Sequence, residues 1–327
     1  MRWSNIGIVC LMNAGWAGAR ADAQVCPSRF VAEVESPVSF AQVGDDLFWT
    51  VNPVGPATRD TVVRRVSKGG GDLELMLHTV FRPPVGTGWV YRGYVYQLVE
   101  AGNVGDKTLW QVPLDGGVAR SRHISRDRRV FTNQNRLYIV KKSGVDPSPD
   151  ELVWVPLSDL SAEEQPFYAA NTSIADVDFG VQYVYIAESG SGFAGSRVQK
   201  VAKDLSRQAT LTSTPSNGIA DLLVFGSDLY FQVDRTELRA IPLVGGAVRQ
   251  VATVPAGAQG QTIYNGVKHV WWETSVEATR SWYAVTSAGP VRIWQIGSSE
   301  PFTTDGQEIF FYEGTGAFAA QYACAVP

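Results

Sequence analysis

The sequence predicts an all-β fold built from seven copies of one four-stranded unit, and three observations point that way. A hydrophobic-aromatic cluster recurs as "LFWTV" at 47, "YVYQLV" at 94, "RLYIV" at 136, "YVYIA" at 183, "LYFQV" at 229, "VWWET" at 270 and "IFFYE" at 309. A second pattern follows each cluster after a variable loop, most plainly in "TLWQVPLDGG" at 108 and "ELRAIPLVGG" at 237. Apolar residues alternate at period two and β-branched residues are frequent, while no segment sustains a helical period.

The elements of one unit can be taken in order. With Phe48, Tyr96, Tyr138, Tyr185, Tyr230, Trp271 and Phe310 as markers, the gaps are 48, 42, 47, 45, 41 and 39 residues. Strand A comes before a turn signal such as "GDD", "NQN", "GSD" or "DGQ". Strand B is the aromatic cluster. Strand C is the second pattern: "VVRRVSKGG", "LWQVPLDGG", "LVWVPLSDLS", "RVQKVAKDLS", "LRAIPLVGG", "WYAVTSAGP" and, last, "AQYACAVP". Its glycines and Asp/Ser pairs end it in a tight turn, and strand D follows. Four-stranded units of this length are propeller blades, so the chain is expected to be a seven-bladed β-propeller of four-stranded antiparallel blades.

The seventh unit reaches the chain end at strand C. The N-terminal "SRFVAEVE" is a spare strand just before "PVSFAQV", strand A of the first unit. It is expected to serve as strand D of the seventh blade, closing the ring without an open seam. Cys324 falls in the last strand C, at the position of Val112, Val155, Val201 and Val285, and Cys26 begins the spare strand. Neighbouring strands lie ~5 Å apart, within reach of a disulfide. A Cys26–Cys324 bridge closing so long a loop stabilises by roughly 5 kcal/mol on the chain-entropy account.

Ahead of that strand, Arg2, the apolar run "IGIVCLMNAGWAGA" and "RADAQVC" have the layout of a secretory signal, with cleavage after Ala23. Residues 1–23 are therefore expected to be a cleaved signal peptide and 24–327 a single propeller domain, secreted or periplasmic. Cleavage removes Cys10 and leaves Cys26 and Cys324, which suits an oxidising compartment. The apolar run is short for a membrane span, and none is expected elsewhere. The net charge of −4, without a basic block, gives no footprint for nucleic acid.

The aromatic cluster and the "VPLDGG" strand resemble the YWTD-type propellers of low-density-lipoprotein-receptor proteins and bacterial secreted propellers, nearest in "LFWTV" and "LWQVPLDGG". The resemblance spans roughly residues 27 to 327 and implies a propeller fold and a binding role. The family's aspartate after the cluster is absent, since Val51 and Asn52 follow "LFWT". The family usually has six blades rather than seven. Its ligand residues are therefore not carried over.

Catalytic signatures are sparse. His78, His123 and His269 are scattered over two D strands and one A–B turn and form no metal-ligand spacing, so no metal site and no cofactor are expected. "GSGFAG" at 190 lies in a loop between strands B and C, not between strand and helix, and reads as glycine spacing. "KKSGVDPSPDE", with Asp146 and Asp150, lacks the calcium-loop pattern and reads as a solvated loop. The phrase shared by "SIADVDFG" and "GIADLLVFG" is more informative. Asp176 and Asp221 each precede their marker by nine residues, at the start of strand A, and Arg129 occupies the same register one unit earlier. These three are the candidate binding residues, in the channel that the first strands of a propeller line. The expected function is non-catalytic binding of a protein or of a polar small-molecule or glycan ligand, by a monomer. The alternative is a carbohydrate- or ester-active enzyme using Glu188, Glu313, Asp176 and Asp221 as acid and base.

Overall fold

The computed structural model describes residues 7–8, 26–33, 37–43, 45–51, 60–72, 74–80, 88–100, 107–115, 117–125, 129–142, 149–190, 195–214, 218–254, 256–265, 269–276, 279–287, 289–297, 302–304, 308–313 and 316–321. None of them is helical. Chain contacts divide the protein into two units, one of residues 1–126 with 293–327 and one of 127–292.

The first unit holds β1 (Gly7–Ile8), β2 (Cys26–Glu33), β3 (Pro37–Val43), β4 (Asp46–Val51), β5 (Asp60–Ser67), β6 (Glu74–Val80), β7 (Gly88–Tyr91), β8 (Tyr94–Glu100), β9 (Lys107–Pro113) and β10 (Arg120–Ile124). The second begins with β11 (Arg129–Asn133), β12 (Arg136–Lys141), β13 (Glu151–Pro156), β14 (Gln165–Ala169), β15 (Ser173–Phe179), β16 (Tyr183–Ser189), β17 (Ser196–Ala202) and β18 (Gln208–Thr214). It continues through β19 (Ile219–Phe225), β20 (Asp228–Val233), β21 (Glu237–Pro242), β22 (Arg249–Thr253), β23 (Gln259–Asn265), β24 (Val270–Val276) and β25 (Thr279–Thr286), and β26 (Gly289–Gly297) begins in it and ends in the first. The first unit then holds β27 (Phe302–Thr304), β28 (Glu308–Glu313) and β29 (Gly316–Gln321).

Among the described residues, six sheets each hold four strands in chain order: β3–β6, β7–β10, β11–β14, β15–β18, β19–β22 and β23–β26. A further sheet has the order β1-β2-β29-β28-β27. The A-to-D reading of the repeat thus matches the strand order, and hairpins make each connection. The hairpin from β7 to β8 turns through two residues, Arg92–Gly93, with φ of 51° and 79°, the pair of positive values that such a turn between twisted strands needs.

The N-terminal strand β2 pairs antiparallel with β29, placing Ser28 opposite Ala320 and Glu33 opposite Gly316. One detail differs from expectation. The described strand after the last aromatic cluster is Gly316–Gln321, which begins four residues before "AQYACAVP" and includes its Ala320 and Gln321, because Glu313 already pairs with Gly316 across a short hairpin. Cys324 lies outside the described residues, as does the side chain of Cys26. From the stretch expected to be a leader, Gly7 and Ile8 pair with Pro27 and Cys26.

In the six four-stranded sheets the second strand has buried side chains on both faces, which explains its near-continuous apolar sequence. In β4, Leu47 and Trp49 pack with Val31, Phe310 and Ala317, while Phe48 between them packs with Val95 and Val112. In β16, Val184 and Ile186 pack with Tyr138, Leu152 and Phe167, whereas Tyr185 packs with Leu222 and Phe231. Alternate side chains of one strand thus join the sheets before and after it. In both units, first strands lie beside first strands of neighbouring sheets: β3 beside β7 and β27, and β19 beside β15 and β23.

Candidate functional site

The candidate residues Arg129, Asp176 and Asp221 all lie in the second unit, on the first strands β11, β15 and β19. A first strand has one hydrogen-bonded strand neighbour, so one edge presents backbone groups that need other partners. Side chains from neighbouring elements supply them. The Arg129 guanidinium donates to the carbonyls of Ile174 and Ala175. Asp150 Oδ2 accepts from Ile174 N at 2.8 Å. Asp176 Oδ2 accepts from Leu222 N at 2.7 Å, and Asp178 Oδ2 accepts from Val224 N. Asp176 and Asp178 are two apart on one strand and share a face, as do the amides they reach, so β15 is stitched to β19 at two successive rungs.

Arg129 and Asp176 are thus not joined as a salt bridge. The guanidinium is spent on carbonyls, and its charge acts on the aspartates from there. The expectation for the "KKSGVDPSPDE" loop also changes at its end. Asp150 is 2% exposed and anchors β15, while Asp146 lies outside the described residues.

The shared phrase around Asp176 and Asp221 conceals a difference of register. In β15 the ladder skips Ala175, leaving Asp176 paired opposite Ala187. In β19 it skips Asp221, between Ala220↔Gln232 and Leu222↔Phe231. Asp221 is therefore the extra residue of a β-bulge, with φ of +46° in the left-handed region. Its carboxylate accepts from Gln232 Nε2, and Gln232 Oε1 accepts from Trp272 Nε1 at 3.2 Å.

Burial dominates the electrostatics of this cluster. It holds the Asp176 carboxyl above the ordinary range against the Leu222 and Val177 amides and the Arg129 charge. Asp178 is pushed up to about 6 by burial, opposed by the Val224 and Phe179 amides and reinforced by Asp176. Asp221 is pushed up to about 7 by burial and the Asp176 charge, with Arg235 and Arg129 opposing and Glu273 reinforcing. Burial likewise raises Asp150, against the Ile174 amide, Lys142 and Arg129.

Glu188, a candidate acid or base, is committed elsewhere. It is 1% exposed and pairs with Arg197 Nη2 at 2.9 Å. It also accepts from the Tyr168 hydroxyl and from Asn171 N at 3.0 Å. Burial alone would raise its carboxyl, but Arg197, Tyr168 and the Asn171 amide together hold it below the usual range. The side chain of Glu313 lies outside the described residues. Of the histidines, His123 is exposed and His269 half-buried, and the side chain of His78 is outside the described residues. "GSGFAG" is described only at Gly190 and Gly195. Among the described residues no group of three or more His, Cys, Asp or Glu has a metal-holding arrangement.

Sequence reasoning missed Asp150, Asp178, Gln232 and Glu273. Only Asp178 left a signal, its spacing of two from Asp176 on a predicted strand.

Repeated four-stranded sheets with first strands side by side define the β-propeller kind of fold. Solved structures agree. The chain is similar to a prolyl endopeptidase, with a TM-score of 0.65 and 11% identity over 90% of this chain and 49% of that one. A chain of the mitotic checkpoint complex gives 0.57 at 10% identity, over 95% and 99% of the two chains. A computationally designed protein gives 0.55 at 7%, over 90% and 98%. This chain spans about half the length of the endopeptidase chain (49%). At such identities the likeness is one of fold. No family model and no curated protein matches the sequence.

Proposed function

We propose that the protein is an exported, seven-bladed β-propeller, its ring completed by β2 on β29, that binds a protein or a polar small-molecule or glycan ligand without chemistry. It acts outside the cytoplasm, secreted or periplasmic, as a monomer without a cofactor. The YWTD-like clusters favour the same binding role. Arg129, Asp176 and Asp221 form the polar floor that meets the ligand. The observation that carries the reading is the commitment of the carboxylates to structural partners: Asp176 to the Leu222 amide, and Glu188 to Arg197 and Tyr168. Carboxylates so held are poor acids and bases but give a preorganised polar surface.

Asp221 alone favours a second reading. A carboxyl pushed up to about 7 on a bulge suits a general acid in a carbohydrate- or ester-active enzyme. One experiment separates the two. The purified protein is screened on a glycan array and on a panel of polysaccharides, esters and lactones, each beside the Asp221→Asn variant. Glycan binding without turnover supports the module. Turnover lost in Asp221→Asn supports the enzyme and overturns the module.

A further inference from the structure

The chain Asp221–Gln232–Trp272, half-buried at Asp221 and buried at its other two members, runs from β19 through β20 to β24, and so ties one four-stranded sheet to the next. Its direction is fixed. The Trp272 indole can only donate, so the Gln232 amide must turn its oxygen to Trp272 and its nitrogen to Asp221. Gln232 and Trp272 are both 1% exposed, where an unmade hydrogen bond is costly. The amide fits because residue 260 of β23 is glycine. A Cβ there would stand 2.1 Å from Gln232 Oε1 and 2.8 Å from Trp272 Nε1. The far end of the chain rests on the extra residue of a bulge. Asp221 is out of the β19–β20 ladder at positive φ, so its backbone can relax to an ordinary conformation without breaking a ladder pair.

Charged groups face Asp221 from all sides. β15 contributes Asp176 and β24 contributes Glu273, both of which oppose its ionisation. Glu273 is itself 3.4 Å from Arg280 of β25. β11 contributes Arg129, and the turn between β20 and β21 contributes Arg235, both of which favour ionisation. From β20 and β23 the neighbours Gln232 and Gly260 are uncharged.

We propose that Asp221–Gln232–Trp272 is a proton-operated latch between the β19–β22 and β23–β26 sheets, closed while Asp221 carries a proton and released when it ionises. In the closed form the carboxyl's carbonyl oxygen accepts from Gln232 with no net charge between Asp176 and Glu273. On ionisation the Gln232 N–H, Arg129 and Arg235 pull harder on the carboxylate, but burial and the Asp176 and Glu273 charges oppose it more strongly, so it swings out at the bulge and Gln232 and Trp272 lose their anchor. The carboxyl, pushed up to about 7, places the change near neutral pH.

The test follows the indole N–H of Trp272 by NMR on the full chain between pH 5 and pH 9 (roughly two units either side of the midpoint), the signal being assigned with Trp272→Phe. It is expected to titrate with a midpoint near 7 in the parent. Asp221→Asn, a neutral residue that tolerates positive φ, is expected to hold the closed position throughout. One proton limits the shift between forms to about tenfold per pH unit. Amide exchange of the parent, corrected for its intrinsic pH dependence, gives a second reading that needs no variant. Residues 219–225 and 259–265 are expected to be better protected at the acid end. A flat Trp272 signal, an Asp221→Asn protein that titrates like the parent, or equal protection at both pH values would overturn the latch.

Discussion

Asp176 Oδ2 accepts a hydrogen bond from the backbone N–H of Leu222, 46 residues later in the chain and on the first strand of the next sheet. That N–H lies on the strand edge without a ladder neighbour, and Asp178 does the same for Val224. The two carboxylates thus stand in for part of a missing strand.

Asp176→Ala is expected to leave the Leu222 amide unpaired and to cost ~1–3 kcal/mol. Asp176→Asn keeps an acceptor oxygen and removes a desolvated charge that repels Asp221, so it should match the parent in stability or exceed it slightly. Urea melts of both variants, with calcium and with chelator, check this. An Asn variant as unstable as the Ala variant would show that the charge itself is required.

Stability should also rise as the solution turns mildly acid. Asp178 and Asp221 have folded values of about 6 and about 7, above their ordinary value of 3.8. The folded state therefore takes up protons that the unfolded chain does not. Their contribution is complete below the unfolded value and is lost as pH rises through about 6 and then about 7. Glu188, held below its ordinary value, acts the other way and loses its contribution as acidity increases past 4.5. The melting temperature is expected to climb from about pH 8 to about pH 5 and to fall beyond. Calorimetry across that range is the measurement, and a melting temperature that falls steadily from pH 8 downward would contradict the assignment.

Much of this architecture can be read from the sequence because the second strands are buried on both faces. Such strands must be apolar at successive positions, as Leu47, Phe48 and Trp49 are, and the cluster then repeats wherever a sheet does. The candidate site is less legible. "SIAD" and "GIAD" read alike, yet the bulge falls at Ala175 in one strand and at Asp221 in the other. A one-residue shift of a bulge leaves no trace in residue types. Asp150 escapes for a similar reason: its partner is the backbone amide of Ile174, and every residue except proline has an amide.

Replacing Gly260 by alanine tests the packing of Gln232 and Trp272 independently of protonation. The new methyl would overlap Gln232 Oε1 and crowd the Trp272 ring, displacing two buried side chains. Overpacking of this kind costs ~1–3 kcal/mol. Thermal melts and Trp emission should both change, and a variant with unaltered stability would mean that the amide has room to turn away.

Breaking the Glu188 pair should be more damaging than breaking exposed ones. Glu188→Ala strands the Arg197 guanidinium, the Tyr168 hydroxyl and the Asn171 amide together. Removing one partner of a buried pair costs ~3–5 kcal/mol, and partial solvation of Arg197 places the expectation toward the lower figure. Arg65–Glu74, with side chains 32% and 55% exposed, is the control, for which Glu74→Ala should cost less than about 1 kcal/mol. Chemical denaturation of the two variants compares them directly, and equal losses would mean that burial adds nothing to the Glu188 pair.

The final prediction concerns the chain ends. β2 begins at Cys26 and pairs Ser28 with Ala320, and Cys324 follows Ala320 by four residues in the sequence. A strand from the N-terminal region lying against a strand from the C-terminal region is the arrangement a Cys26–Cys324 disulfide would lock. Exported protein, cleaved after Ala23 and so without Cys10, is expected to show no free thiol when denatured without reductant. Reduction should lower the melting temperature, because an open chain gains conformational entropy on unfolding that a bridged chain cannot, by roughly 5 kcal/mol for a loop this long. It should not unfold the protein at room temperature, since clusters such as the one around Trp49 and Phe310 remain buried. Quantitative thiol labelling before and after reduction decides the matter. Two labelled cysteines before reduction would leave the β2–β29 ladder to hold the chain ends by hydrogen bonding and packing alone.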